Sequence, residues 1–429
     1  MFEYVLSPYF RYLNSRAMRF GPAGADKLPV ADRDKRYLLY VHIPFCETLC
    51  PFCCFHRVKL RRPQADLYFE ALRNEIRAHK KAGFEFVDVY VGGGTPTVIP
   101  EQLIETLQLI RSLYAIQKIS VETNPNHLAS STLTELRRAG VNRLSVGVQS
   151  FDDRHLKEMG RYESYGSGTE IMERLKNAYG AFDTLNVDMI FNQPHQTMES
   201  LDRDIDIIVG NEIADQVSFY PLMPAQATSK TMKRTMGTVT FRNERAMYRR
   251  ILAGMQPKYQ PSTAWCFSRK CDLVDEYIVD HEEYVGVGSG AFSYVAGCFY
   301  SSSFSINRYI ENIGSDRPGI VMSRRLSEIE QLRYKFLVGL FGLELDWESI
   351  RRDHRSTWLG PLWKERLFFS LLGSIRRDGG SYRLTDKGMY HWVVMMREFL
   401  TGVNNFRDEM RSHISIERML DSVHYTAAG

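Results

Sequence analysis

Three cysteines, Cys46, Cys50 and Cys53, form a C-x3-C-x2-C set inside Tyr40–Phe55 (YVHIPFCETLCPFCCF). They constrain this chain more than any other feature. They follow Tyr37–Ile43, an apolar, β-rich run that predicts a buried strand. Three thiolates on one short loop hold three irons of a cubane cluster, whereas four would close it. The fourth iron is left for a substrate or cofactor ligand. Zinc is the first rival, but a structural zinc site wants four N or S ligands, usually as two spaced pairs. No second C-x2-C exists, and a Cys3His site using His56 is cramped within one loop. A disulfide framework is the second rival. Seven Cys is an odd number, and the aromatic start MFEYVLSPYFRYL, carrying Pro8, does not read as a secretory signal. Cys54, adjacent to Cys53, is expected to point elsewhere as a small buried hydrophobe. Cys266, Cys271 and Cys298 are read the same way.

At 429 residues the chain suggests two or three domains. Hydrophobic content of 44% and charged content of 25% are ordinary for a soluble globular protein. A net charge of +4 makes no case for nucleic acid. No run is long and apolar enough to predict a membrane span. Thiols kept reduced beside an oxygen-sensitive cluster predict a cytoplasmic location.

Residues 1–36 read as an N-terminal extension, rich in Arg, Pro and Gly (Arg16, Arg19, Pro22, Pro29) and without periodicity. Strands are then predicted at 37–43, 86–91, 118–123, 143–148, 185–191 and 216–220. Helices are predicted at 64–80, 101–114, 131–139, 170–179 and 198–209. Roughly six alternating units predict an α/β fold, a parallel sheet closed or partly closed into a (β/α)6 barrel over 37–322. Residues 323–429 are read as a separate, mainly helical domain near the barrel mouth. Active sites of such barrels lie at the carboxyl ends of the strands, and the polar motifs fall there.

Gly92-Gly93-Gly94-Thr95 lets backbone approach a ligand closely, although a turn without function has the same composition. Glu122, Gln149, Arg161 and Asp188 stand at or after strand ends. Each alone reads as a satisfied structural group; together they read as a ligand shell. A carboxylate suits ribose hydroxyls or an ammonium group, and arginine suits a carboxylate.

With these motifs the chain resembles the radical S-adenosylmethionine (SAM) superfamily, and more closely the branch typified by oxygen-independent coproporphyrinogen III dehydrogenase. The likeness is carried by Tyr40–Cys53, Gly92–Thr97, Glu122–Pro125, Arg143–Phe151, Asp188–Thr197 and Gly286–Tyr294. It implies a [4Fe–4S] cluster on Cys46, Cys50 and Cys53, with one SAM chelating the open iron and cleaved to a 5′-deoxyadenosyl radical. A second SAM is also implied, as is a reducing partner such as flavodoxin or ferredoxin. By motif matching, Tyr40, Gly93, Gly94, Thr95, Glu122, Gln149, Arg161 and Asp188 belong to the cofactor shell, and Pro221 and Phe292 with them. Tyr40, Glu122 and His195 are the candidate catalytic residues, with a structural role as the alternative for His195.

Two departures separate the chain from the dehydrogenase. Phe55 stands where that family carries a further cysteine, and D-M-I-F-N-Q-P-H-Q-T replaces D-L-I-Y-G-L-P-G-Q-T. Asn192, Gln193 and His195 therefore predict a different substrate wall. Phe55, Val217–Met223 and the runs Met395–Phe399 and Val403–Arg407 look more like the class C radical methylases of the same branch. An amphipathic docking helix is the plainer explanation of the last of these. The leading expectation is methylation, or methylene addition, at an sp2 carbon of an unsaturated or aromatic substrate such as the menaquinone ring. The alternatives are porphyrinogen dehydrogenation or anaerobic haem ring opening, and a haem carrier that keeps the fold.

Overall fold

The computed structural model describes residues 7–8, 10–11, 18–23, 28–270, 277–348, 350, 360 and 362–426. Arg16 and Cys271, both used above, lie outside the described residues.

The expected alternation is present as β1 (Tyr37–Ile43), α1 (Arg62–Lys81), β2 (Phe86–Gly93), α2 (Pro100–Leu113), β3 (Lys118–Thr123), α3 (Ser130–Arg138), β4 (Arg143–Gln149), α4 (Gly168–Ala178), β5 (Thr184–Phe191), α5 (Met198–Gly210) and β6 (Gln216–Pro221). Strands β1 to β6 pair in parallel in chain order. A parallel sheet covered on both faces demands apolar residues on both. Leu39, Val41, Ile43, Val89, Val91, Leu144, Val146 and Val187, all buried, supply one face; the other carries Tyr40, His42, Tyr90, Glu122, Ser145 and Asp188 and faces the site instead. The helices are bounded by local chemistry. Pro63 lies in the first turn of α1, and Gly83 beyond its end takes φ +89. Capping boxes Ser167/Glu170 and Thr197/Ser200 open α4 and α5.

The sheet extends further than the sequence pattern indicates. β7 (Cys266–Ser268) adds antiparallel to β6, and β8 (Tyr284–Val287) adds parallel to β1. β9 (Phe292–Val295), β10 (Cys298–Ser302) and β11 (Ile320–Arg325) follow antiparallel. Gly21–Pro22 from the N-terminal extension pairs with β11. The result is an open thirteen-stranded sheet. The boundary expected at residue 323 thus falls inside β11, a strand of the main sheet.

Helix α6 (Gln226–Thr235) packs against the final long helix, α7 (Glu244–Met255) against α5, and α8 (Ile306–Gly314) against α1. Beyond β11 come α9 (Glu328–Phe341), α10 (Trp363–Leu371) and the long α11 (Asp386–Thr426). This region is less purely helical than expected. It holds a three-stranded antiparallel sheet of Glu344–Asp346, Ser381–Leu384 and Ile375–Asp378. α11 is fixed to the barrel by a buried ion pair of Arg397 with Glu244, which also accepts from Tyr390 Oη at 3.0 Å. Ser7 and Arg11 of the extension hydrogen-bond Glu398, and Phe20 stacks on Phe406 at 4.4 Å. Among the described residues no helix is long and apolar enough to cross a membrane.

Candidate active site

The cysteine loop leaves β1 and is closed at its base by a short parallel pairing of Phe45–Cys46 with Val58–Lys59. Val58 N donates to Pro44 O at 2.7 Å, and Leu60 N to Cys46 O at 2.9 Å. The end of β2 lies directly on this loop. Gly94 N donates to Ile43 O at 2.7 Å and Thr95 N to Phe45 O at 2.8 Å. Glycine is required here by space. A Cβ at Gly94 would stand 2.7 Å from Phe45 O and 3.0 Å from Cys46 Sγ. One at Gly92 would meet the Glu122 carboxylate at 2.8 Å.

These elements enclose a cavity of about 340 Å³ at the carboxyl ends of the parallel strands. Its wall includes Cys46, Cys50, Cys53, Tyr40, Gly93, Gly94, Thr95, Glu122, Gln149, Arg161, Asp188, Pro221 and Phe292. Every site residue expected from the sequence is therefore brought together, with one exception. His195 takes φ +64 on its loop, and its side chain is 51% exposed, 3.3 Å from Glu158 Oε1 and away from the cavity. Asn192 and Gln193 likewise turn to Thr240 O and Ile190 O instead of forming a substrate wall. Cys54 differs in the other direction. It is buried as expected, with its thiol pushed up to about 12 by burial, yet it lines the cavity. Cys266 and Cys298 are buried core residues.

The polar shell is cross-linked. Glu122 accepts from Tyr90 Oη at 3.0 Å and Gly93 N at 3.1 Å. Asp188 accepts from Ser145 Oγ at 3.0 Å and Asn186 Nδ2 at 2.8 Å. Gln149, at φ +78, ends β4. Arg161 is buried. It donates to Asn124 Oδ1 at 3.0 Å, to Gly147 O, and towards Cys50 Sγ at 3.5 Å, and its guanidinium lies 4.2 Å from the Tyr165 ring centroid. Tyr40 Oη meets His42 Nδ1 at 3.0 Å. Burial drives the Tyr40 phenol far above its ordinary range and His42 down to about 4, so both stay neutral near pH 7.

The cysteines fit a thiolate-held cluster. Cys46 and Cys50 are buried and Cys53 is half-buried. Thr95 Oγ1 points to Cys46 Sγ at 3.6 Å. Arg57 donates to the Cys50 carbonyl, and the three sulfurs favour its charge against the cost of burial. Cations and donors beside sulfur suit the negative charge of such a cluster. Among the described residues no three His, Cys, Asp or Glu side chains are grouped to hold a single metal ion, a different geometry from one thiolate on each of three irons.

Sequence reasoning missed Arg57 and, although it singled out Met395–Phe399 and Val403–Arg407, did not place them in the site. Arg57 follows the cysteine loop with no spacing to mark it. Phe399, Leu400, Val403, Asn404 and Arg407 arrive from α11. The docking-helix explanation of 403–407 is realised, and the helix also roofs the site.

Residues 40–208 match the model of the Radical SAM superfamily. The heme chaperone HemW of Lactococcus lactis subsp. lactis (strain IL1403) is 28% identical over 314 residues, covering 70% of this chain and 80% of that protein. The oxygen-independent coproporphyrinogen III oxidase of Escherichia coli (strain K12) is 38% identical over 171 residues, 38% of this chain and 36% of the oxidase. The solved coproporphyrinogen III oxidase HemN of Escherichia coli shares the fold, with a TM-score of 0.70 at 24% identity over 85% of this chain and 90% of its own. Radical SAM proteins use a [4Fe–4S] cluster and S-adenosylmethionine. Cysteine loop, parallel strand order and these likenesses converge: the chain has the radical SAM fold, matches the superfamily's model over residues 40–208, and is similar to HemW and to coproporphyrinogen III oxidase.

Proposed function

We propose that this chain is a radical SAM enzyme acting on a tetrapyrrole, either a porphyrinogen or a haem. One observation carries the proposal. A single cavity joins the cysteines and polar shell to an aromatic wall of Phe55, Phe292, Phe299, Tyr334 and Phe399. A flat conjugated ring stacks well on such a wall. The two relatives described above are named for a haem chaperone and a coproporphyrinogen oxidase, which supports the same class. Neither is a methylase, so the methyl transfer expected from the sequence becomes an outcome of the assay and not the leading reading.

In this proposal the bound cluster and SAM supply reductive cleavage chemistry from an electron donor of the flavodoxin or ferredoxin kind, in a reducing cytoplasm. The chain's residues bind and orient. Glu122 and Asp188 take hydroxyl or ammonium groups of SAM, Gly93 and Gly94 give close backbone approach, and Thr95 and Arg161 hold the charge around Cys46 and Cys50. Neutral Tyr40 and His42 present a hydrogen-bond pair without adding charge, and α11 excludes water. The cross-linked polar shell favours an enzyme over a carrier, which needs no SAM pocket.

The test is anaerobic turnover with SAM carrying a trideuterated methyl group, offered coproporphyrinogen III or haem. Tetrapyrrole-dependent 5′-deoxyadenosine supports the proposal. Carbon dioxide release then marks decarboxylation, and S-adenosylhomocysteine with deuterated product marks methyl transfer. Cleavage stimulated by neither tetrapyrrole would remove the proposal, and haem binding without cleavage would favour the carrier.

A further inference from the structure

The roof of the cavity carries a cation that the shell around the cysteines does not use. Arg407 lies on α11, with its guanidinium 5.2 Å from the Phe55 ring centroid and 5.5 Å from that of Phe292. Arg407 and both rings line the cavity. The neighbouring arginines are committed. Arg161 serves Asn124, Gly147 O and Cys50, and Arg57 serves the Cys50 carbonyl. Arg411 donates to the carbonyls of Cys54 and Phe55 and pairs with Asp408 at 3.5 Å. Among the described residues Arg407 donates only to Asn404 Oδ1 at 2.8 Å, a neutral amide on its own helix. Its Nε is buried with no acceptor, as are those of Arg57, Arg161 and Arg411, but unlike them Arg407 meets neither a carboxylate nor a cysteine-loop atom as hydrogen-bond partner among the described residues. Its positive charge is felt inward at Tyr40, His42 and Cys54, where burial is the larger influence.

A half-buried guanidinium with unused donors is costly unless an anion meets it. The planar fork matches a carboxylate, and the two rings that flank it offer apolar faces to a conjugated framework. We propose that Arg407 anchors a carboxylate of the substrate, whose ring system lies against Phe55 and Phe292. This rests on the proposal that the cavity takes a flat conjugated molecule, and it adds a group that molecule must carry. It also makes α11 a specificity element. The carboxylate of SAM is the other source of the same chemistry, and the test separates the two.

The test uses the full-length, cluster-reconstituted protein and compares binding of two aromatic acids with their neutral methyl esters: mesoporphyrin IX against its dimethyl ester, and 1-naphthoate against methyl 1-naphthoate. Wild type should prefer acid over ester by about ten- to a hundred-fold, as expected for charge-assisted hydrogen bonds in a dry site. R407Q should abolish the preference, R407K should keep part of it, and both should match wild type in iron and sulfide per chain. A preference shown by 1-naphthoate alone keeps Arg407 as the anchor and removes the tetrapyrrole. The inference is overturned if wild type shows no preference for either acid, or if R407Q keeps the wild-type ratio. It is also overturned if R407Q weakens SAM binding while leaving the acid preferences intact.

Discussion

Replacing Gly94 with Ala tests whether the cysteine loop is held in place by direct backbone contact. Gly94 is not among the positive-φ glycines, so alanine meets no dihedral penalty there. The cost is spatial. The added Cβ would stand 2.7 Å from Phe45 O, 2.8 Å from Pro44 C and 3.0 Å from Cys46 Sγ. Two of these are backbone atoms that cannot swing aside. Relief requires β2 and the loop to separate, which strains the Gly94 N to Ile43 O and Thr95 N to Phe45 O bonds of 2.7 and 2.8 Å. Overpacking costs about 1–3 kcal/mol and each weakened bond about 1 kcal/mol. A loss of about 3–5 kcal/mol at this seam is therefore expected, with Cys46 displaced from its position relative to Cys50. Iron and sulfide per chain after anaerobic reconstitution should fall several-fold in G94A. Gly210→Ala is the control, because nothing lies within 4 Å of its added Cβ; it should load normally. Full cluster content and wild-type SAM binding in G94A would refute the proposed seam.

Three further outcomes are expected. Cys50→Ala should abolish cluster absorbance and turnover, and wild-type iron retention in that variant would end the ligand assignment. Arg161→Lys replaces a fork that bridges Asn124, Gly147 O and Cys50 by a single point charge; kcat/KM for SAM cleavage should drop about ten-fold or more, and an unchanged value would show that the fork is dispensable. Glu75, accepting from Tyr309 Oη at 2.6 Å and Gly288 N at 2.8 Å, is pushed by burial from 4.5 up to about 7. Between those values the folded chain keeps a proton that the unfolded chain has lost, so its contribution to stability falls as pH rises through that window. Glu75→Gln should flatten the fall between pH 5 and 8 by at most about 3 kcal/mol in denaturant unfolding, and an unchanged slope would place the dependence elsewhere.

The β/α alternation was legible because each strand is a compact apolar run, Leu39–Val41–Ile43 being typical, and each helix has a marked start or stop. The rule that ligands gather at the carboxyl ends of parallel strands then grouped Glu122, Gln149 and Asp188 without knowledge of their contacts. What escaped has physical reasons. Strands β7 to β10 are at most five residues long, too short for a period to declare itself, and β11, as long as β3 and β6, loses its apolar run at Ser323-Arg324-Arg325. His195 looks catalytic by its position after β5, but positive φ at Asn192 and His195 turns the loop outward. Cys54 was expected to alternate away from Cys53, yet the tight Cys53 N to Cys50 O turn, 3.3 Å, does not follow strand alternation. Arg407 is distant in sequence from the two rings it lies over, Phe55 and Phe292, and only the docking of α11 gives it meaning.

The order in which these parts are made has its own consequence. The cysteine loop belongs to the first strand of the barrel, whereas α11, which lines the same cavity, comes far later in the chain and leaves the ribosome well after it. Until α11 is made and docks, the part of the cavity lining that it supplies is missing from around the thiols. Iron and sulfide have a broad approach until Arg397 reaches Glu244, and a narrow one afterwards.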